Sequence, residues 1–212
     1  MSENVNEQNN NFSPSKTLDE NRMVDALITR CLRGDQSAFT ALYERYASGI
    51  YRLCYSLVPH QQEAEDVVQE VFVYAFKNLQ RYDSRRAAFR TWLYTIAVSR
   101  CRNTYRRKQL PQIELGNLFR NEVPGPQSET PEAVLAQQVA QDALLRALAA
   151  LPHNLREAVV LRYGHGLTYR EIADVMDCPL KTAESRVRLA HVHLRKALKP
   201  QGQGLLEELL SF

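Results

Sequence analysis

Between Arg81 and Lys108 the chain carries nine lysines and arginines against one acid, Asp83. Tyr82, Phe89, Trp92, Tyr94 and Tyr105 are interleaved with them. Cations at that density neutralise phosphate, and flat rings stack on unpaired bases at about 1–3 kcal/mol per base. The combination suits a nucleic-acid strand that has been opened. A core would also claim Phe89 and Trp92, which fall on an apolar stripe. Tyr82 stands in a polar loop before the helix, is needed less by a core, and is the better stacking residue. Arg106-Arg107-Lys108 also reads as a solvated helix end.

A second constellation runs from Leu167 to Leu194. Thr168 and Glu171 have the spacing of a capping box, opening a short helix from Tyr169 to Met176. The turn Asp177-Cys178-Pro179-Leu180 follows, then a long helix from about Lys181 to Leu198. Short helix, tight turn and longer helix make a helix-turn-helix unit. Ile172, Ala173 and Met176 face inward from the first helix, and Val187, Ala190 and Leu194 from the second. The second helix exposes Lys181, Thr182, Glu184, Ser185, Arg186 and Arg188 at the end that enters the major groove in this motif. Leu161 to Lys199 holds eight basic residues against four acids, the electrostatic footprint of a DNA-binding face. A hairpin with solvated charges is the plainer alternative.

A third feature has the opposite sign. Glu63, Glu65, Asp66 and Glu70 lie across a helix from the stripe Ala64, Val67, Val68, Val71, Phe72, Ala75, Phe76 and Leu79. That face is repelled by DNA and is left to solvent or to a basic protein partner. Paired catalytic carboxylates, a phosphate-cradling glycine loop and a metal-ligand cluster are all missing from the pattern. His191 and His193 stand two apart and point to different helix faces. No enzymatic activity, no catalytic residue, no metal and no cofactor is expected.

The elements that position these residues are helical throughout. Phe39, Leu42, Tyr43, Tyr46, Ile50, Leu53, Cys54 and Leu57 keep helical spacing until Pro59 stops the helix. Phe89, Trp92, Leu93, Ile96 and Ala97 form another stripe, which continues into the basic stretch. Residues 109–131 lose periodicity, with Pro111, Gly116, Pro124, Gly125, Pro126 and Pro131 among Glu114, Glu122 and Glu129. The expected architecture is all-α: two small helical domains joined by a flexible acidic linker, the second containing the helix-turn-helix. The boundaries are a disordered tail over 1–20, a domain over 21–108, a linker over 109–131, a domain over 132–199 and a tail over 200–212. In the second domain a helix over Val134–Leu151 is ended by Pro152. The next, Leu155–Tyr163, breaks at Gly164-His165-Gly166. The tail Leu205-Leu206-Glu207-Glu208-Leu209-Leu210 is amphipathic, suited to its own domain or to a partner.

The net charge of the 212 residues is only +3, so partner choice follows from where charge is placed. No apolar run approaches the roughly 18 residues that cross a bilayer. Met1 to Asn11 lacks a basic and an apolar segment in the order of a secretory signal. A cytoplasmic protein without membrane insertion is expected. Cys31, Cys54, Cys101 and Cys178 are widely spaced and read as free thiols.

AEDVVQEVFVYAF (Ala64 to Phe76) resembles the polymerase-docking helix of bacterial sigma factors. FRTWLYTIA (Phe89 to Ala97) is similar to their melting-and-recognition helix, and LTYREIADVMDCPLKTAESRVRLA resembles their minus-thirty-five reader. The likeness covers about residues 23–199, and the small size with a short linker points to the extracytoplasmic-function (ECF) group. The resemblance implies a protein that binds core RNA polymerase, melts promoter DNA and directs transcription initiation, often in a stress response. It implies polymerase contacts at Glu63, Asp66, Gln69, Glu70 and Phe72. Minus-ten contacts are implied at Tyr82, Arg85, Arg86, Arg90, Ser99, Asn103, Arg106 and Arg107, with a base extruded into the loop Tyr82 to Ala88. Minus-thirty-five contacts are implied at Arg162, Lys181, Thr182, Ser185, Arg186 and Arg188. It also implies an anti-sigma factor that hides both DNA faces, and a linker running near the polymerase active-site cleft.

The chain departs from the family pattern at Ser99, Asn103, Lys181, Glu184, Leu189 and His191. These changes bear on the promoter sequence and leave the fold alone. A stand-alone helix-turn-helix regulator is the competing function, and it leaves both the acidic helix and the basic-aromatic helix without a use.

Overall fold

The computed structural model of the protein describes residues 14–58, 60–108 and 143–198. The first module is built from α1 (Pro14–Leu32), α2 (Gln36–Leu57), α3 (Gln61–Lys77), a short 3-10 turn (Leu79–Arg81) and α4 (Phe89–Lys108). The second has α5 (143–149), α6 (His153–Val159), a π-helical turn (Val160–Gly164), α7 (Tyr169–Met176) and α8 (Leu180–Leu198). No strand occurs among the described residues, so the all-α expectation holds there. The linker over 109–131, the start of the helix expected from Val134, Pro59 and the tail over 200–212 lie outside the described residues.

Local chemistry sets each boundary. Gly34 takes φ 86° and turns the chain between α1 and α2, a conformation in which a Cβ is penalised. Asp35 then caps α2, accepting from the Ser37 amide at 2.9 Å while Arg30 Nε donates to its other oxygen at 2.9 Å. The Ser37 hydroxyl, donating to Oδ1 at 2.7 Å, and then Arg30 hold the Asp35 carboxyl down at about 2. A disordered tail is expected over 1–20, but α1 already includes Pro14 to Glu20, and residues 1–13 lie outside the described residues. Glu20 reaches across to pair with Arg45 on α2, which gives the first turns of α1 a tertiary anchor.

α2, α3 and α4 enclose the first core, with Leu42, Ile50, Leu53, Val71, Leu93 and Val98 fully buried. Cys31, Cys54 and Cys101 are buried free thiols, and Cys178 is half-buried. The Cys101 thiol is pushed well up by its contact with Cys54 and by burial, which keeps it protonated and unreactive. α4 buries more than the stripe Phe89, Leu93, Ile96 and Ala97, since Val98 and Cys101 are covered as well. It is packed from two directions, by α2 and α3 on one side and by α7 on the other.

In the second module the capping box forms as expected. The Glu171 amide donates to Thr168 Oγ1, and the Thr168 amide to Glu171 Oε2 at 2.8 Å. Asp177 ends α7 at φ 50°, and the Cys178 amide returns to the Ala173 carbonyl at 3.0 Å. Ile172, Ala173 and Met176 share a core cluster with Ala183 and Val187 of α8, while Ala190 and Leu194 pack in a second cluster with Leu151 and Leu155. Thr168→Ala removes one side of the box and is expected to cost about 1 kcal/mol, read as a lower melting temperature of this module.

Candidate nucleic-acid interface

On α3, Asp66, Gln69 and Glu70 are exposed and Glu63 is half-buried. Arg100 of α4 approaches Glu70 at 3.9 Å and lies 4.7 Å from the centre of the Tyr74 ring. In the arginine-rich loop before α4, Asp83 accepts from the Arg85 amide at 3.0 Å and from Arg85 Nε at 3.1 Å, which holds its carboxyl below the usual range. Arg86 is exposed and is in no ion pair among the described residues.

Along α4, Ser99, Asn103 and Arg106 are exposed at i, i+4 and i+7, which places them on one face. Arg90 lies on a different arc, half-buried, and donates to the His165 carbonyl at 3.2 Å. Tyr82 packs edge-on against Phe89 at 5.2 Å and beside Trp92 at 5.6 Å. Tyr82 and Trp92 line one wall of a cleft of about 680 Å³ with Arg81, Asp83 and Thr91. The opposite wall is the helix-turn-helix corner, with Asp174, Asp177 and Pro179.

On α8, Lys181 and Arg188 are exposed, and Thr182, Ser185 and Arg186 are half-buried. None of the three cations has a carboxylate within ion-pair distance among the described residues. Arg162, in the π-helical turn, donates to the Leu167 carbonyl at 2.9 Å and stacks over Tyr169 at 5.0 Å. Its guanidinium is therefore held in place with one edge already used.

Two arcs of cations thus face outward from two small helical units, and comparison with known proteins says what such a pair is. The family description "Sigma-70 region 2" matches residues 42–110, and "Sigma-70, region 4" matches residues 141–194. The RNA polymerase sigma-H factor of Pseudomonas aeruginosa is 34% identical over 180 residues, covering 82% of this chain and 93% of that protein. The ECF RNA polymerase sigma-E factor of Escherichia coli K12 is 33% identical over 189 residues, covering 86% and 98%. The chain belongs to the ECF branch of the sigma-70 family. Among solved structures, CnrH in complex with the cytosolic domain of CnrY matches with TM-score 0.60 and 26% identity, covering 82% of this chain and 95% of that one. The sigma factor RpoE of Bartonella quintana, solved with the anti-sigma factor NepR, matches in fold with TM-score 0.61 at 21% identity, over 76% and 97% of the chains.

As a sigma factor the protein recognises promoter DNA and directs RNA polymerase to initiate transcription, with no enzymatic role of its own. Within the sigma factor, one residue expected at a surface is buried and a second is partly covered. Phe72 is buried, edge-on to Tyr43 at 4.8 Å and beside Phe76 at 5.7 Å, so it supports α3 from below. Tyr82 is half-buried among aromatic rings, and burial pushes its hydroxyl up to about 12. The core uses it as much as it uses Trp92. The loop is polar in sequence, yet it folds back over Phe89 and takes the ring with it. The Arg107 side chain lies outside the described residues.

Sequence reading also passed over exposed apolar residues. Val73 (53% exposed) and Tyr74 (37%) stand three and four positions beyond Glu70, next to the acidic face of α3. Leu189 and Val192 are exposed on α8. The signal was available in the same helical spacing that picked out the acids, once the outward face was read for all residue types.

Proposed function

We propose that the sigma factor divides its contacts among three faces. Asp66, Gln69 and Glu70, with Val73 and Tyr74 as an apolar centre, dock on a basic surface of core RNA polymerase. Arg85, Arg86, Ser99, Asn103 and Arg106 receive the opened minus-ten strand, with Tyr82 and Trp92 forming a ring-lined wall against which an extruded base can lie. Extrusion costs a few kcal/mol, which those contacts offset. Lys181 and Arg188 position α8 on minus-thirty-five phosphates, while Thr182, Ser185 and Arg186 meet base edges, with Arg162 bracing the entry from the π-helical turn.

The observation that carries this reading is the division of charge on one module. α3 presents acids and exposed apolar side chains, while the loop and α4 expose Arg86 and Arg106, neither of them in an ion pair among the described residues. One face repels DNA and the other attracts it. The protein therefore acts in the cytoplasm, where polymerase and promoter are. An anti-sigma factor that covers the two DNA faces is its regulator, in keeping with the complexes known for CnrH and RpoE.

Run-off transcription with purified core polymerase and genomic promoter fragments tests the proposal. Transcripts that depend on the added protein are the expected result. Duplex binding with no polymerase association would leave only a stand-alone regulator.

A further inference from the structure

Leu189 and Val192 of α8 are 42% and 46% exposed. They stand three positions apart and exposed Lys196 follows four further on, so the three share one stripe along the helix. That stripe lies opposite Ala183, Val187, Ala190, Leu194 and Leu198, which are buried. Arg188 and Arg195, both exposed, run along one side of it. None of Arg188, Arg195 and Lys196 has a carboxylate within ion-pair distance among the described residues. Neither the core nor a phosphate backbone has a use for two aliphatic side chains at this place.

An apolar stripe bordered by unpaired cations calls for leucines with acids beside them. Leu205-Leu206-Glu207-Glu208-Leu209-Leu210 has that composition, and it lies outside the described residues. At helical spacing its four leucines fall within an arc of about 140°. Glu208 borders that arc beside Leu205, and Glu207 borders it beside Leu210. The pattern therefore matches the stripe in both hydrophobicity and charge.

The chain between them is long enough for a return. α8 ends at Leu198, and Lys199 to Gly204 separate it from Leu205. Six residues span up to about 20 Å. Val192 and Leu189 stand only about 9 Å and 14 Å back along α8, at 1.5 Å per residue. Pro200, Gly202 and Gly204 suit a reversal of direction. A linker this short gives an effective concentration in the millimolar range, so even a weak contact is populated.

We propose that residues 205–210 fold back onto the outward face of α8 and compete there with promoter DNA. The leucines lie over Leu189 and Val192, and the glutamates meet Arg195 and Lys196. Arg188, next to Leu189 on the same face, then loses its open approach to phosphate, and the two acids repel the duplex. The inference rests on the reading of α8 as the minus-thirty-five face. With the segment docked in about two-thirds of molecules, apparent affinity for the duplex falls about threefold.

Full-length protein carrying Leu206→Asp and Leu209→Asp tests the competition, by fluorescence anisotropy on a labelled duplex from a genomic promoter fragment. The double variant is expected to bind at least threefold more tightly than the parent. Two added acids alone would weaken DNA binding, so a gain reports release of the segment. Val192→Cys with Leu209→Cys tests the placement. Mild oxidation is expected to join these two thiols within one chain, identified by mass spectrometry of peptides, and to lower duplex affinity at least tenfold until a reductant is added. The native Cys31, Cys54 and Cys101 are buried and do not compete. A cross-link between two chains makes a second copy the occupant and overturns the proposal. No cross-link, together with unchanged affinity in the aspartate variant, leaves the stripe to another protein and overturns it too. If no form binds the duplex while the cross-link forms within one chain, the docked segment stands and the reading of α8 as the DNA face falls.

Discussion

Reversing charge at Asp66 and Glu70 together, as D66K/E70K, is expected to lower affinity for core polymerase by about a hundredfold, with loss of run-off transcription. Both side chains are exposed, and surface substitutions of this kind usually change stability by no more than about 0.5 kcal/mol. Among the described residues the only ion pair disturbed is Glu70 with Arg100 at 3.9 Å, a half-exposed contact worth under about 1 kcal/mol. Placing two cations against a basic partner surface replaces attraction with repulsion, and like-charge juxtaposition costs several kcal/mol. About 2.8 kcal/mol corresponds to a hundredfold change in dissociation constant. Anisotropy titration at low salt is the measurement, with minus-thirty-five duplex binding as the control that should stay unchanged. An affinity within threefold of the parent would remove α3 from the polymerase interface.

The second large effect is expected on α8. The triple variant K181A/R186A/R188A should weaken binding to a minus-thirty-five duplex by a hundredfold or more near physiological salt. Each cation on a phosphate contributes about 0.9 to the slope of log affinity against log salt. Lys181→Ala and Arg188→Ala should therefore each flatten the slope by about one and weaken all sequences alike. Arg186 is half-buried and sits nearly two turns inside the helix. Its replacement should instead narrow the gap between specific and unrelated duplexes, by about 1–3 kcal/mol if it makes a bidentate contact with guanine. A triple variant that keeps the parental slope would mean that another surface holds the DNA.

His165 shows how the contact between the two modules alters ordinary chemistry. Desolvation first, then Arg52 and Arg90, push its imidazole down to about 4, so the ring is neutral where it meets Tyr94. Nothing in the local sequence Gly164-His165-Gly166 distinguishes it from a loop histidine. Only the arrival of α2 and α4 from the other module buries it.

Much of the rest was legible from residue order. The capping box Thr168–Glu171, the inward Ile172, Ala173 and Met176, and the stripe Val187, Ala190 and Leu194 all depend on contacts three or four residues apart. Periodicity states such relations directly. The same reasoning picked out Glu63, Glu65, Asp66 and Glu70 as an outward face, whereas Gln69, Ser99, Asn103 and Arg106, all exposed, came from the resemblance to sigma factors. It failed where a residue's surroundings come from far along the chain. Tyr82 was read as free because its neighbours are polar, whereas Phe89 and Trp92 return to cover it. Phe72 stands in the apolar stripe of α3 and only the resemblance gave it to the polymerase; in the fold Tyr43 and Phe76 flank its buried ring.

The amino-acid order by itself determined two helical units of opposite task, one with an acidic helix beside a basic one and one with a helix-turn-helix, because helix faces are set by a period of 3.6 residues. The tertiary structure alone decided that the units meet. Arg102 and Glu157 are 55 positions apart, and no local pattern marks either as a partner for the other. Their pairing arises only when α4 and α6 are brought together, where burial makes each charge need its opposite.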